Sequence, residues 1–323
     1  MLVTTPALAR DAYADDPTWR AIQAFLPAEL RFGPGLMPTS SFWAWQGHQI
    51  HLDRFAQPDS PVTLILLHGV GTNGRLLSLI VGGPLWRRGI ESVAVDLPPY
   101  GQSRPARRVT VTYDDWVRLV CDSIAAERQR SGRPIMLFGL SAGGMLAYHA
   151  AAIDGQVAGI IGTTFLDQRI PRVRDATALN LLMSRGGGAL AAILAGTPLG
   201  RLAMPMRLAS KMHTLVNNPA ALRILLRDRS SAGSWATLRF LHSYLSYQPA
   251  LEPEDFAVCP ILLTQPGADR WTPAELSAPV LGRVRQVPVR SVQLDGAGHY
   301  PLEQPGLSQL ADAIEAFVRS PGQ

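Results

Sequence analysis

Residues 135–151 read IMLFGLSAGGMLAYHAA. The stretch starts as an apolar run of the kind that forms a buried strand and ends as a helix-forming run. Between the two stands Gly139-Leu140-Ser141-Ala142-Gly143. In a sharp strand-to-helix turn the apex residue is forced into a strained backbone conformation. The residues two before and two after it must be small, or they collide across the turn. Gly139 and Gly143 meet that demand. The strain lifts the Ser141 hydroxyl clear of the backbone at the start of the helix. Free N–H groups and the helix dipole there favour developing negative charge. This is the G-x-S-x-G nucleophile elbow, in the strand-turn-helix setting that gives the pattern meaning. The bland alternative is a Gly-rich turn in an ordinary βα loop, with Ser141 as a helix N-cap.

A serine alone is a poor nucleophile; it needs a base, and the base needs an orienting acid. The chain should supply an acid after a later strand and a histidine near the end. ILLTQPGADRWTP places Asp269 in a loop after an apolar run, and VQLDGAGHYPLEQP places His299 in a Gly-rich loop after the last one. Loops at strand C-termini are where open α/β sheets build their sites. Asp269 has two rivals: Asp167, after the strand that follows the elbow, and Asp295, four residues before His299. Of the other histidines, His48 and His51 fall in a first hairpin, His149 in the helix after Ser141, and His213 and His242 farther on. Packing or solvent exposure accounts for each. An oxyanion site needs two backbone donors. The N–H of Ala142 is one candidate. The other is Val70 in LLHGVGTNGR, where glycines permit close backbone approach. His68 in that loop is read as an ordering residue that hydrogen-bonds the backbone.

Outward from the elbow, PVTLILLHG, ESVAVDLP, VAGIIGTTF, CPILLTQP and RSVQLDG read as further strands, most of them apolar throughout. SFWAWQGHQIHLDRF reads as a hairpin turning at Gln46-Gly47-His48. Residues 112–130 carry Trp116, Val117, Val120 and Ile124 at helical spacing, with Thr112 placed to cap, and residues 305–318 read as a closing helix. Strands alternating with helices predict an α/β fold with a mostly parallel central sheet flanked by helices. From 167 to 255 no strand is expected. Short helices are, including one starting at Asn218-Pro219 and running to Arg229, and one over 234–247. The expected organisation is an N-terminal arm (1–39, with a short helix near 18–25), an α/β core (40–166 and 256–323) and an inserted helical cap (167–255).

The chain has 323 residues, 47% of them hydrophobic, ample for a large core. A net charge of +5 is mild for this length, and no basic-aromatic cluster points to nucleic acid. Cys121 and Cys259 lack metal-ligand spacing and are too few for a disulfide scaffold, so both read as buried thiols. No secretory leader or transmembrane run is evident, which makes the cytoplasm the expected compartment. Nothing calls for a cofactor or metal.

LLHGVG, VAVDLPPYGQS, GLSAGG, QPGADRWTP and GAGHYPLEQP, in this order, resemble an α/β-hydrolase-fold serine hydrolase of the esterase or lipase type with a helical cap. Where the family usually carries glycine, this chain has Pro99. The resemblance implies Ser141, Asp269 and His299 as nucleophile, acid and base, with Val70 and Ala142 as the oxyanion donors. It argues against haloalkane dehalogenases and most epoxide hydrolases, which carry Asp where Ser141 stands. The implied activity is carboxylic-ester hydrolysis through an acyl-enzyme. C–C bond hydrolysis or cofactor-free perhydrolysis on the same residues, and a non-catalytic ligand receptor, are the alternatives. The 167–250 stretch is rich in Leu, Ala and Met and holds ten Arg and one Lys against three Asp and no Glu. That is the composition of apolar faces packed on a core with solvated arginines outside. It is also that of a lid that meets anionic lipid or guides a charged ester. Under the second reading, monoacylglycerol or lysophospholipid is a natural substrate. The oligomeric state is open.

Overall fold

The computed structural model describes residues 4–6, 13 and 16–321. Nine strands form the main sheet: β1 (Thr4–Pro6), β2 (Thr39–Trp45), β3 (His48–Phe55), β4 (Thr63–Leu67), β5 (Glu91–Val95), β6 (Ile135–Gly139), β7 (Gly159–Gly162), β10 (Ile261–Pro266) and β11 (Val289–Leu294). The remaining two, β8 (Ala203–Pro205) and β9 (Trp235–Thr237), pair separately. The spatial order of the main sheet is β1-β2-β3-β5-β4-β6-β7-β10-β11. From β5 to β11 every neighbouring pair is parallel, and β1, β2 and β3 join antiparallel. Every residue of β4, β5, β6, β7 and β10 is buried, as strands covered on both faces require. The edge strand β11 instead alternates between exposed and half-buried residues until Leu294.

Helices flank the sheet. Tyr113–Ser131 starts at a capping box: Thr112 Oγ1 accepts from Asp115 N, and Asp115 Oδ2 accepts from Thr112 N at 2.8 Å. It buries Trp116, Val117, Val120 and Ile124, the residues at helical spacing, and stops at Gly132 with φ +67°. It packs beside Ala142–Asp154, the helix after the elbow. The C-terminal helix Gly306–Arg319 lies on β10 and β11 and buries Leu307, Leu310, Ile314 and Phe317.

The register fixes where the site can be. Gly139 is level with Leu67 on one side and Gly162 on the other, and Pro266 is level with Leu294. The loops after β4, β6, β7, β10 and β11 therefore leave the sheet on the same edge.

Two parts differ from the sequence expectation. Thr4–Pro6, inside the expected arm, pairs with β2 and widens the sheet. Within the arm, Pro17–Ile22 is a helix that Asp16 caps, followed by a 3-10 turn over Gln23–Phe25. In the 167–255 stretch, where no strand was expected, β8 and β9 form a short antiparallel ribbon. The second helix expected there consequently begins only at Leu238: Trp235–Thr237 pairs with β8, and Thr237 Oγ1 then caps the helix Leu238–Leu245 through Phe240 N at 3.1 Å. The helix from Pro219 ends at Arg227, two residues early. Leu238–Leu245 packs on both Gly188–Ala195 and the long helix Tyr113–Ser131. Phe240 meets Trp116 at 4.7 Å between ring centroids, and Ser243 Oγ accepts from Tyr113 N at 2.8 Å. This stretch is thus anchored to the core through aromatic contacts.

Candidate active site

Ser141 lies between β6 and its helix with φ +55° and ψ −122°, a conformation that costs a non-glycine residue on the order of 1–3 kcal/mol. Its side chain makes no capping hydrogen bond to the helix, which removes the bland N-cap explanation for a serine there. The turn is held from outside. Ser141 N donates to Thr163 Oγ1 at 3.0 Å, and Thr164 Oγ1 donates to Ser141 O at 3.2 Å. Both threonines lie in the loop after β7.

Gly69 explains why the loop after β4 lies so close to this turn. A Cβ there would stand 2.9 Å from both Leu140 O and Ser141 Cβ. Val70 follows directly, and Val70, Ser141 and Ala142 line one cavity. Among the described residues neither the Val70 nor the Ala142 amide donates to another backbone carbonyl. His68 orders this loop. Its Nδ1 donates to Gly69 O at 2.8 Å and its Nε2 accepts from Leu97 N at 2.8 Å. Burial lowers the His68 pKa to about 4, against a smaller opposing effect of the Gly69 carbonyl, so the ring is neutral at pH 7.

Asp269 and His299 meet as the sequence order suggested. His299 Nδ1 donates to Asp269 Oδ2 at 2.8 Å. The carboxylate also accepts from Trp271 N at 2.7 Å, Thr272 N at 3.0 Å and Thr272 Oγ1 at 2.7 Å. Burial pushes the Asp269 carboxyl up, but His299 and the Thr272 hydrogen bonds outweigh it and hold the group below the usual carboxylate range. Among the described residues His299 Nε2 is buried with no hydrogen-bond partner. The Trp271 ring lies 4.7 Å from the imidazole, centroid to centroid. Asn217 braces the acid loop by donating from Nδ2 to Ala268 O at 3.1 Å.

The rivals are engaged elsewhere. Asp167 binds Arg169 at 2.7 Å, and Asp295 accepts from Gln309 Nε2 at 2.9 Å. His149 is buried against Tyr113 Oη, and burial takes its pKa down to about 3. His51 lies 2.9 Å from Asp96 on the far side of β5 from the elbow strand. Burial lowers its pKa, but Asp96 and Asp53 outweigh this and raise it. Cys259 is buried and Cys121 half-buried; both are free thiols, raised by burial to about 12 and about 11.

Thr163, Thr164 and Thr272 are parts of this arrangement that sequence reading missed as site residues. So is the wall of the cavity. It measures about 830 Å³ with its open mouth, and Met183, Met204, Met206, Met212, Ala191 and Leu241 contribute to it from the 167–255 stretch. Ser141, the Asp269–His299 pair and the Val70 and Ala142 amides all follow strands that end at one edge of the sheet, and they are groups of the kind that acyl transfer uses.

A model described as the alpha/beta hydrolase family matches residues 64–308. No curated protein sequence matches the chain. Among solved structures, monoacylglycerol lipase from Paleococcus ferrophilus is similar at 20% identity and TM-score 0.63, covering 84% of this chain and 98% of that one. A soluble variant of monoglyceride lipase from Saccharomyces cerevisiae, solved with a substrate analogue, is similar at 16% identity and TM-score 0.72, covering 92% and 99%. Mouse alpha/beta hydrolase domain-containing protein 10 is similar at 17% identity and TM-score 0.62, covering 87% and 99%.

Proposed function

The chain belongs to the alpha/beta hydrolase family, and from that premise we propose that it hydrolyses carboxylic esters through an acyl-enzyme on Ser141. His299 Nε2 takes the Ser141 proton as Oγ attacks the ester carbonyl. The Val70 and Ala142 amides hold the tetrahedral oxyanion. His299 then returns the proton to the leaving alcohol. Water, activated by the same nitrogen, releases the acid and restores Ser141. Asp269 holds the imidazole in the required tautomer and stabilises its protonated form. The observation that carries this reading is the strained Ser141 whose side chain caps nothing, in the same cavity as two unused amides.

The 167–255 stretch acts as a cap that chooses the substrate, while Thr4–Pro6 of the N-terminal arm extends the sheet of the core. Its methionines make an adaptable apolar wall that suits an acyl chain. Monoacylglycerol or lysophospholipid fits that wall, and two of the similar structures are monoacylglycerol or monoglyceride lipases. Hydrolysis of nitrophenyl esters from acetate to palmitate tests it. Rates should peak at medium or long chains; a peak at acetate would make the acyl-pocket reading wrong.

The same stretch supports peripheral contact with anionic lipid. Leu182, Ile193, Leu202 and Trp235 are each more than half exposed, with Arg185, Arg201 and Lys211 in the same stretch. Among the described residues no helix is long and apolar enough to cross a membrane. Sedimentation should show binding to vesicles containing phosphatidylserine that weakens with salt and in a Leu182→Ser/Ile193→Ser variant. Equal recovery with neutral and anionic vesicles would rule out the electrostatic part.

A further inference from the structure

The cavity that holds Ser141 has one charged residue in its wall, Arg174 on the short helix Pro171–Thr177. Among the described residues its Nε is buried and has no hydrogen-bond partner. The carboxylates nearest in sequence are already committed. Asp167 pairs with Arg169 at 2.7 Å, and Asp175 pairs with Arg185 at 2.8 Å and also accepts from Ser184 Oγ. Among the described residues Arg174 forms no ion pair. Three other polar side chains in the wall, Ser210, Thr177 and Gln168, are satisfied within the protein. Ser210 Oγ donates to Met206 O at 3.0 Å, Thr177 Oγ1 to Val173 O at 3.0 Å, and Gln168 Nε2 to Tyr244 Oη at 3.3 Å.

An arginine is costly to desolvate without a counter-ion, because the field it loses from water is not replaced. Most of the wall around it is apolar. An occupant that reaches Arg174 displaces water from it, so one carrying an anion recovers what a neutral one forfeits. The planar fork suits a carboxylate or a phosphate, either of which can accept two of its N–H groups. We propose that Arg174 binds an anionic group, carboxylate or phosphate, on the substrate, so that the enzyme prefers anionic esters over neutral esters of equal chain length. This specifies the substrate class of the site described above and rests on the ester-hydrolase reading.

Two matched substrate pairs and one binding measurement test it. In the first pair, the mono-nitrophenyl ester of octanedioic acid is compared with nitrophenyl octanoate, which puts the anion at the acyl end. In the second, an acylglycerol phosphate is compared with the acylglycerol of the same chain, which puts it on the alcohol side. Wild type should favour the anionic member of at least one pair. Arg174→Met should reduce kcat/KM for that member by about tenfold or more, mainly through KM. It should affect the neutral partner several-fold less, and Arg174→Lys should restore part of the loss. The pair that responds identifies the end carrying the anion. Calorimetric titration with octyl phosphate does not depend on hydrolysis. Wild type should bind it, and Arg174→Met should bind it at least about tenfold more weakly. No preference in either pair, or an equal loss on both members in Arg174→Met, would overturn the proposal. Arg174-dependent binding of octyl phosphate in a protein that cleaves no ester would uphold the anion site and sink the ester-hydrolase reading instead.

Discussion

Replacing Ser141 by alanine should lower kcat for nitrophenyl octanoate by a factor on the order of 10⁵ and leave the fold intact. The size follows from what remains. Without Oγ there is no acyl-enzyme, and the amides of Val70 and Ala142 can only assist direct attack by water. The fold should survive because Ser141 Oγ does not cap its helix, while the holds on the turn run through the Ser141 backbone and Thr163 and Thr164. Alanine keeps the backbone at φ +55°, so its strain stays. Glycine adopts that conformation without penalty but has more freedom to lose on folding. Taking strain at 1–3 kcal/mol and the glycine entropy at 0.5–1, Ser141→Gly should be more stable than Ser141→Ala by about 1 kcal/mol and equally inactive. Initial rates and urea unfolding of the two variants measure both effects. Appreciable turnover in either would exclude Ser141 as the nucleophile. Equal stability of the two would mean that the strain is no larger than the glycine entropy, about 0.5–1 kcal/mol.

That turn was legible in the sequence because its demands are local. A Cβ at Gly139 would stand 2.0 Å from Gly143 O, so the spacing of the two glycines records a contact within five residues. The buried strands were legible because being covered on both faces makes them mostly apolar, with Thr63, Glu91, Ser92, Thr264 and Gln265 as buried exceptions. Chain order and loop position pointed to Asp269 and His299 but left Asp167 and Asp295 as rivals for the acid. What was hidden depends on distant partners. Thr163 and Thr164 are ordinary loop hydroxyls until folding brings them to Ser141, and so is Thr272 until His299 Nδ1 comes within 3.0 Å of it. Arg174 is one of ten arginines in its stretch, and nothing in PRVRDAT says which of them faces the cavity. Thr4–Pro6 and the β8–β9 ribbon are three residues per strand, too short for alternation to register. Each exists because a partner strand supplies its hydrogen bonds.

Gly144 sets a harder limit than the elbow glycines, and the five-residue pattern does not contain it. A Cβ there would lie 1.9 Å from Thr164 O, with the Thr164 carbonyl carbon at 3.1 Å. Gly143 is similar, at 2.1 Å from Leu67 O. Both obstacles are backbone, at the end of β4 and in the loop after β7, so no rotamer change relieves them. The helix would have to move away from the sheet, or the loops carrying Val70 and Thr163 would have to shift. Since the helix buries ten of its thirteen residues, displacing it opens packing over much of its length. Gly144→Ala should therefore cost at least about 4 kcal/mol, a large part of the 5–15 kcal/mol of a typical domain, and accumulate as insoluble protein. Gly196→Ala is the matched control. No heavy atom lies within 4 Å of its added Cβ, and its φ of −76° suits alanine, so it should be neutral or gain up to about 1 kcal/mol. Urea midpoints of the two variants against wild type give the comparison. A soluble Gly144→Ala protein of near-native stability that hydrolyses esters normally would mean that the helix can leave the sheet without disturbing Ser141. The close approach at Gly144 would then have no part in holding the elbow.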